Sequence, residues 1–384
     1  MKERIVIIGA NDFQNQLILK AKSMGYETHV FAWKCGDIGE KTADYFYPIS
    51  IVEKERILDI CKKINPIGII TIASDLANIT VNYVAEKLGL ICNGVKNTEV
   101  ATNKHLMRII FEKNGLPSPK SILIENENDK SFSDFNYPLI VKPTDRSGSR
   151  GIFKVEKPED MEQAILRARE ESFEKKVLVE EFVDGQEYSV EYISWKGEHY
   201  FLAITKKYTT GAPKFIETGH IQPAYDISEQ TECKIKNLVP QILDAIGVFY
   251  GASHTELKIT NEGEIKIIEV GARMGGDCIG SDLVQLSTGY DFVKMVIDVA
   301  CGKAPDLSAQ RKNNQAMVRF IFNEDDLCKL EWIKCHKASA IRRISEITMF
   351  DERVINDSSG RYGYYLLSTD TEEEMSEILG EING

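Results

Sequence analysis

The sequence predicts an α/β protein built from several parts: an N-terminal parallel α/β layer, a central region of helices and antiparallel strands, and a small C-terminal α+β region. Three observations lead there. A chain of 384 residues exceeds what one ordinary core supports. Strand-like and helix-like segments alternate over residues 1–95, the pattern of a parallel sheet. Further on, two strands flank Asn261-Glu262-Gly263-Glu264 and place Glu256 and Glu269 in one hairpin.

In the first part, an apolar run over 4–9 ends at Gly9, a helix is expected over 11–24 and a strand over 27–33. A helix over 53–64, a strand over 68–74, a helix over 75–88 and a strand over 90–92 continue the pattern. Gly9-Ala10-Asn11-Asp12-Phe13 lacks the second and third glycines of a dinucleotide fingerprint, which argues against a nicotinamide dehydrogenase. Asp75 follows the third strand, where α/β sheets place ligand contacts; a helix N-cap is the competing role.

In the second part, Thr98 is positioned to cap a helix running to Asn114, with Lys104 on its exposed face. A polar run over 125–136 reads as a loop, and 137–143 as a buried strand that ends in Lys142, a charge needing a counter-charge or a phosphate. The small-residue loop 144–151 offers free backbone N–H groups to phosphates, or is a plain turn. Strand 176–183 ends in Glu180-Glu181-Phe182-Val183, offering backbone groups to an adenine edge and a carboxylate to a ribose; a polar strand terminus before the Asp184-Gly185 turn is the alternative. Strands over 188–195 and 199–207 lead to a loop over 209–224 that contains Glu217 and His220, then to a helix over 229–246. Lys206 and Lys207 are expected to face the same cleft.

The hairpin is the most informative segment. With Glu262-Gly263 as a two-residue loop, Glu256 stands directly opposite Glu269 while Leu257, Ile259, Ile268 and Val270 face a core. Opposed Cβ atoms lie roughly 4.5 to 5.5 Å apart, so the carboxylates repel. A hard divalent cation relieves this, and magnesium prefers carboxylates plus substrate phosphates; a solvated acidic hairpin is the plain reading. After Arg273 come Met274-Gly275-Gly276-Asp277 and a long helix to about 301, then strands over 316–322, 338–344 and 362–368 and an acidic helix over 371–381.

Composition narrows the function. Apolar content of 43% and charged content of 28% are those of a soluble globular protein. A net charge of −12 argues against nucleic acid or anionic membrane as partners through bulk charge. No stretch approaches a membrane span, and the N-terminus lacks a signal-peptide cleavage site, so a cytoplasmic location is expected. Eight cysteines without a C-x-x-C pair fit reduced thiols, and six unclustered histidines argue against zinc.

Taken in order, Lys104, Lys142, the small-residue loop, Glu180-Glu181 and the opposed Glu256 and Glu269 resemble the motifs of the ATP-grasp superfamily over about residues 1–305. The resemblance implies a pre-ATP-grasp domain over 1–95, an ATP-grasp domain over 96–302 with a small mobile lobe over about 127–185 and a large lobe over about 186–302, and a C-terminal subdomain over 303–384. It implies that Lys104 and Lys142 hold the phosphates of ATP under a lid containing Arg146, Ser147, Gly148, Ser149 and Gly151. Glu180, Glu181, Phe182 and Val183 are implied at the adenine, Glu187 at the ribose, and Glu256 and Glu269 as carboxylates for magnesium or manganese. Gly271 stands where many members have an asparagine metal ligand. The segment from His254-Thr255-Glu256 to Gly275-Gly276-Asp277 is similar to the L-amino acid ligase branch, which implies that Arg273 binds a substrate carboxylate and that Glu217 and His220 sit over the substrate. A structural salt bridge to Asp277 or Glu269 is the alternative for Arg273, and a satisfied loop histidine the alternative for His220. The implied partners are a small-molecule carboxylate and amine, and by analogy a second copy of the chain. A purine-pathway or carboxyphosphate-forming ligase shares the nucleotide site, and a non-catalytic nucleotide sensor needs neither the metal pair nor Arg273; biotin carboxylase is disfavoured by the short C-terminal part.

Overall fold

The computed structural model describes residues 2–126, 129, 131–308, 314–351 and 354–383, so positions 127, 128 and 130 of the expected polar loop lie outside the described residues. Among the described residues sixteen strands form three sheets. The first holds β1 (Arg4–Ile8), β2 (Glu27–Ala32), β3 (Tyr45–Pro48) and β4 (Gly68–Ile70), all parallel, in the order β3-β2-β1-β4. Its strands are near-continuous apolar runs because both faces are covered: Ile5 and Ile7 pack with Leu17 and Ile18 of helix Asp12–Ser23, whereas Val6 and Ile8 pack with helices Lys54–Ile64 and Asp75–Leu88.

The second sheet is antiparallel, β5 (Ser121–Ile124), β6 (Leu139–Pro143), β7 (Phe153–Val155) and β8 (Val177–Glu181) in the order β5-β8-β6-β7, backed by helix Met161–Glu171. The third has eight strands: β9 (Gln186–Trp195), β10 (Glu198–Thr209), β11 (Glu217–Gln222), β12 (Tyr250–Ile259), β13 (Ile265–Gly271), β14 (Gln315–Ile321), β15 (Ile341–Ile344) and β16 (Gly363–Thr369). Their order is β13-β12-β9-β10-β11-β14-β16-β15. The C-terminal strands therefore extend this large sheet rather than forming one of their own. On its first five strands, period-2 alternation puts Tyr188, Val190, Tyr192 and Leu257 against helices Glu229–Ile246 and Lys104–Lys113, leaving Glu191, His254 and Glu256 on the opposite face. Helix Phe292–Ala300 packs between this sheet and the first, joining them through one core with Ile193 and Ala252.

Several expectations are corrected. No strand forms over 90–92, and the expected helix from Thr98 to Asn114 is two helices, Val95–Thr102 and Lys104–Lys113. The break is local chemistry: Asn103 takes an extended backbone and its side chain accepts from the N–H groups of His105 and Leu106, starting a new helix. The long helix expected after Asp277 is interrupted by a π-turn at Ile279–Leu283 and a stop at Gly289, in the left-handed conformation, before Phe292–Ala300. Strand β3 and helix Glu324–His336 escaped the sequence reading; the helix buries only Leu330 and Ile333, too few to print an apolar stripe.

Removing the cap by Asn103→Ala should cost about 1 kcal/mol of stability, read as a lower urea midpoint with an unchanged denaturant slope.

Candidate active site

The glutamate hairpin forms, with two compensating departures. Its loop has three residues, not two: Thr260 donates to Glu264 O at 2.9 Å, and Gly263 has a φ of 82°. That loop alone would offset the register by one, but a β-bulge between Glu256 and Leu257 restores it, so Glu256 pairs directly with Glu269 while Leu257 pairs with Ile267. The bulge also reassigns faces. Ile267, not Ile268, is fully buried in the core, and Ile268 turns to the cleft.

Each carboxylate is held by a buried lysine. Lys104, expected on an exposed helix face, is instead buried at the first position of its helix, where Nζ donates to Glu269 Oε1 at 2.8 Å and to Arg146 O at 2.6 Å. Lys207 donates to Glu256 Oε1 at 2.7 Å and pairs with Glu187 at 2.9 Å. Burial disfavours the Lys207 cation, but Glu256, Glu187 and Glu217 outweigh it and raise its pKa well above the usual lysine range. Lys206 is corrected to the other side of β10, where it pairs with Asp226, as strand alternation requires.

Behind Glu256 lies a second buried chain that the sequence did not reveal. His254 shares Nδ1 with Glu191 Oε1 at 2.5 Å and Nε2 with Glu256 Oε1 at 3.1 Å. Burial works against its cation, yet the two carboxylates prevail and raise its pKa to about 9. Burial opposes the Glu256 carboxylate too, but Lys207 and His254 hold its pKa well below the usual range.

Lys142 stands next to last in β6, at the end of its apolar run as expected, and pairs with Glu180 at 2.6 Å. Glu180 is also 2.7 Å from Arg108, one helical turn beyond Lys104, an i,i+4 signal that was available in the sequence. The Glu180 side chain is thus engaged with two cations, which overcome the cost of burial and lower its pKa. Two buried cations sharing one carboxylate leave positive charge suited to an anionic ligand.

Lys104, Lys142, Arg146, Ser147, Gly148, Ser149, Glu180, Glu181, Phe182, Val183, Glu187, Glu256 and Glu269 line one chamber with Glu217 and Arg273. Pro119, Ile140, Ile152, Phe215 and Ile268 supply an apolar slot in it. Gly151 is not on this wall; it lies under the loop, where a φ of 69° and the proximity of Pro143 admit only glycine. Gly271 is explained as well, because a Cβ there would stand 2.9 Å from the Arg273 guanidinium carbon. That guanidinium occupies the space that a larger side chain at 271 would take.

An adjoining cavity of about 580 Å³ shares Ser147, Gly148, Glu217, Glu256 and Arg273 with the first and adds His220, Asp277 and Arg361. Glu217 and His220 lie on strand β11, not in a loop, and a bulge between Tyr208 and Thr209 turns these residues, three apart, to one side. Arg273 pairs with Asp75 at 2.8 Å, not with Asp277 or Glu269, and its buried Nε makes no hydrogen bond. Ser74, not Asp75, caps helix Asp75–Leu88. Arg361 grips Asp277 with two bonds of 2.8 and 2.9 Å and covers Phe320, while Ser358 donates to Glu217 at 2.7 Å. No local sequence signal marked Arg361, 84 positions from its partner. Burial lowers the pKa of His220 against the pull of Asp277 at 3.7 Å, and neither ring nitrogen makes a hydrogen bond.

Two opposed carboxylates beside three buried or half-buried cations fit a divalent cation that completes its shell with phosphate and water. Among the described residues no group of three or more His, Cys, Asp or Glu could hold a metal alone. No described helix is long and apolar enough to cross a membrane.

Residues 135–282 match the ATP-grasp domain family. The chain carries an ATP-grasp domain. The alanine–anticapsin ligase of Bacillus subtilis strain 168 is 29% identical over 307 residues, 71% of this chain and 64% of that protein. The carbamoyl phosphate synthase large chain of Thermotoga sp. strain RQ2 is 26% identical over 330 residues, 78% of this chain and 29% of that one. The chain thus spans less than two thirds of the length of these curated relatives. The L-amino acid ligase from Bacillus licheniformis superposes with a TM-score of 0.84 at 24% identity, covering 100% of this chain and 97% of that one, a likeness of fold that extends beyond the ATP-grasp domain to both ends of the chain.

Glu180→Gln leaves Arg108 and Lys142 facing each other without a carboxylate and should destabilise the protein by about 3–5 kcal/mol. Arg108→Leu leaves Glu180 with one lysine and should cost less; urea denaturation of both variants checks the order.

Proposed function

We propose that the chain is an ATP-dependent carboxylate–amine ligase joining amino acids or amino-acid-like substrates, with release of ADP and phosphate. The observation that carries this reading is the junction of two chambers at Glu256 and Arg273, one lined by phosphate-type cations and an apolar slot, the other by Arg273, His220, Glu217 and Asp277. The relatives named above support it, and the reading places the work in the cytoplasm.

Lys104, Lys142 and the loop Arg146 to Gly151 take the phosphates of ATP. The adenine enters the slot of Ile140, Phe182 and Ile268, meeting backbone groups of Glu180, Glu181 and Val183, and Glu187 takes the ribose. Glu256 and Glu269 would hold magnesium, whose charge when bound would offset that of the phosphates. Lys104 and Lys207, which pair with these carboxylates, would then be available to phosphate oxygens.

Arg273, whose Nε has no hydrogen bond, binds the substrate carboxylate and places an oxygen in line with the γ-phosphate. That oxygen forms a bond to phosphorus as the bond to ADP breaks. Glu217 holds the ammonium, His220, kept neutral by burial, takes one of its protons, the freed amine nitrogen attacks the acyl carbon as the bond to phosphate breaks, and the phosphate leaves with the second amine proton. The chemistry needs positioning and charge rather than a nucleophilic side chain. Closure of the phosphate loop keeps water from the acyl phosphate.

Full-length protein with Mg-ATP and pairwise pools of amino acids should release ADP only with a productive pair, giving a product at the summed mass less water. ADP release independent of any amine would overturn the reading. For a productive pair, Arg273→Ala should lower kcat/KM for the acid by the equivalent of about 1.5–3 kcal/mol.

A further inference from the structure

We propose that the carboxylate substrate carries a large apolar side chain, seated in a third chamber between the first sheet and the phosphate loop. This inference rests on the ligase reading and adds the class of acid.

The helix Asp75–Leu88 has two apolar faces. Ala77, Val81, Val84 and Ala85 form the expected one and pack into the core under β1. Leu76, Ile79 and Tyr83 form a second stripe at i, i+3 and i+7, and all three line a chamber of about 850 Å³. Lys54 lies over the Tyr83 ring at 4.6 Å and Arg146 over the Phe173 ring at 4.5 Å. Ile79 is exposed, and so are Trp33, Val52 and Phe173 from three other segments around the same hollow. Single exposed apolar side chains are ordinary; several converging on one concavity mark a binding surface. The volume is that of a small-molecule site.

The inner end of the chamber decides what enters. It is closed by Lys104, Arg146, Ser147 and Glu269, which also line the nucleotide chamber at its phosphate end. A ligand whose apolar part lies on Ile79 and Tyr83 therefore points its head group at the place where phosphate is transferred, as the acid must. The cavity with Glu217, His220, Asp277 and Arg361 adjoins this chamber, sharing Trp33, Val52, Asp75 and Leu76 with it, and adds the charged groups suited to the amine. The acid is thus held by its apolar part and the amine by its charge.

Hydroxylamine serves as a uniform amine, so the acid alone varies. With the full chain, Mg-ATP and hydroxylamine, hydroxamate formation is measured for glycine, alanine, leucine and phenylalanine. The expected kcat/KM rises about fourfold per added methylene from glycine toward leucine, and Ile79→Asp lowers the leucine-to-glycine ratio by about tenfold or more. A flat or falling series, or a ratio unchanged in Ile79→Asp, overturns the inference. Absence of hydroxamate with every acid counts against the ligase reading instead, and the chamber is then tested by tryptophan fluorescence with Mg-ADP. A change on adding phenylalanine but not glycine, lost in Trp33→Phe, upholds an apolar site there; no Trp33-dependent change overturns it.

Discussion

Everything in the cleft depends on two carboxylates being held opposite each other on neighbouring strands. At an effective dielectric constant of about 20, two like charges about 4 Å apart repel by roughly 4 kcal/mol, so Glu256 and Glu269 persist together only because cations are brought to them. Lys207 comes from the next strand but one, β10, and Lys104 from a helix whose first N–H is tied to Thr144 O at 2.8 Å. The pairs are interchangeable with a metal and phosphates by their chemistry. Lys104 and Lys207 neutralise the two carboxylates; under the proposed function, Mg-ATP would offer the same two charges of each sign their partners.

This exchange explains why so many parts of the chain meet at one place. The second sheet supplies Lys142 and the loop over 144–151, the large sheet supplies Glu256, Glu269 and Lys207, and the first sheet reaches the cleft through Asp75. The C-terminal strands share the large sheet with β11, and the segment before β16 brings Ser358 and Arg361 onto Glu217 and Asp277. Arg361 neutralises Asp277 and so limits the field that would protonate His220. The cavities that meet at the cleft are in this way lined from several regions of the chain, with Asp75 in two of them.

Much of the fold, and the gathering of the named residues in one cleft, was legible because it is written in local periodicity. Helices 54–64, 75–88 and 229–246 match their predicted spans within a residue or so, and Lys142 stands at the end of its apolar run. Where the sequence misled, the cause was a bulge, a cap or a distant partner. The hairpin register was right although the loop length was wrong, because the bulge at Glu256 cancels the extra loop residue. Three-residue spacing on a strand sends Glu217 and His220 to opposite faces unless a bulge intervenes, and nothing in the chain announces that bulge. Lys104 looked exposed because the carboxylate that buries it is 165 residues away, and Arg361 gave no signal for the same reason. Arg108 was readable at i,i+4 from Lys104 and was passed over.

The central claim is that Glu256 and Glu269 bind metal-nucleotide in exchange for their lysines. Calorimetric titration of ATP into the full chain, with and without magnesium, tests it directly when repeated on Glu256→Gln/Glu269→Gln. The account predicts that magnesium strengthens ATP binding to the natural chain and that the double variant loses this dependence while still binding the nucleotide. Equal magnesium-dependent affinity in both proteins would contradict it.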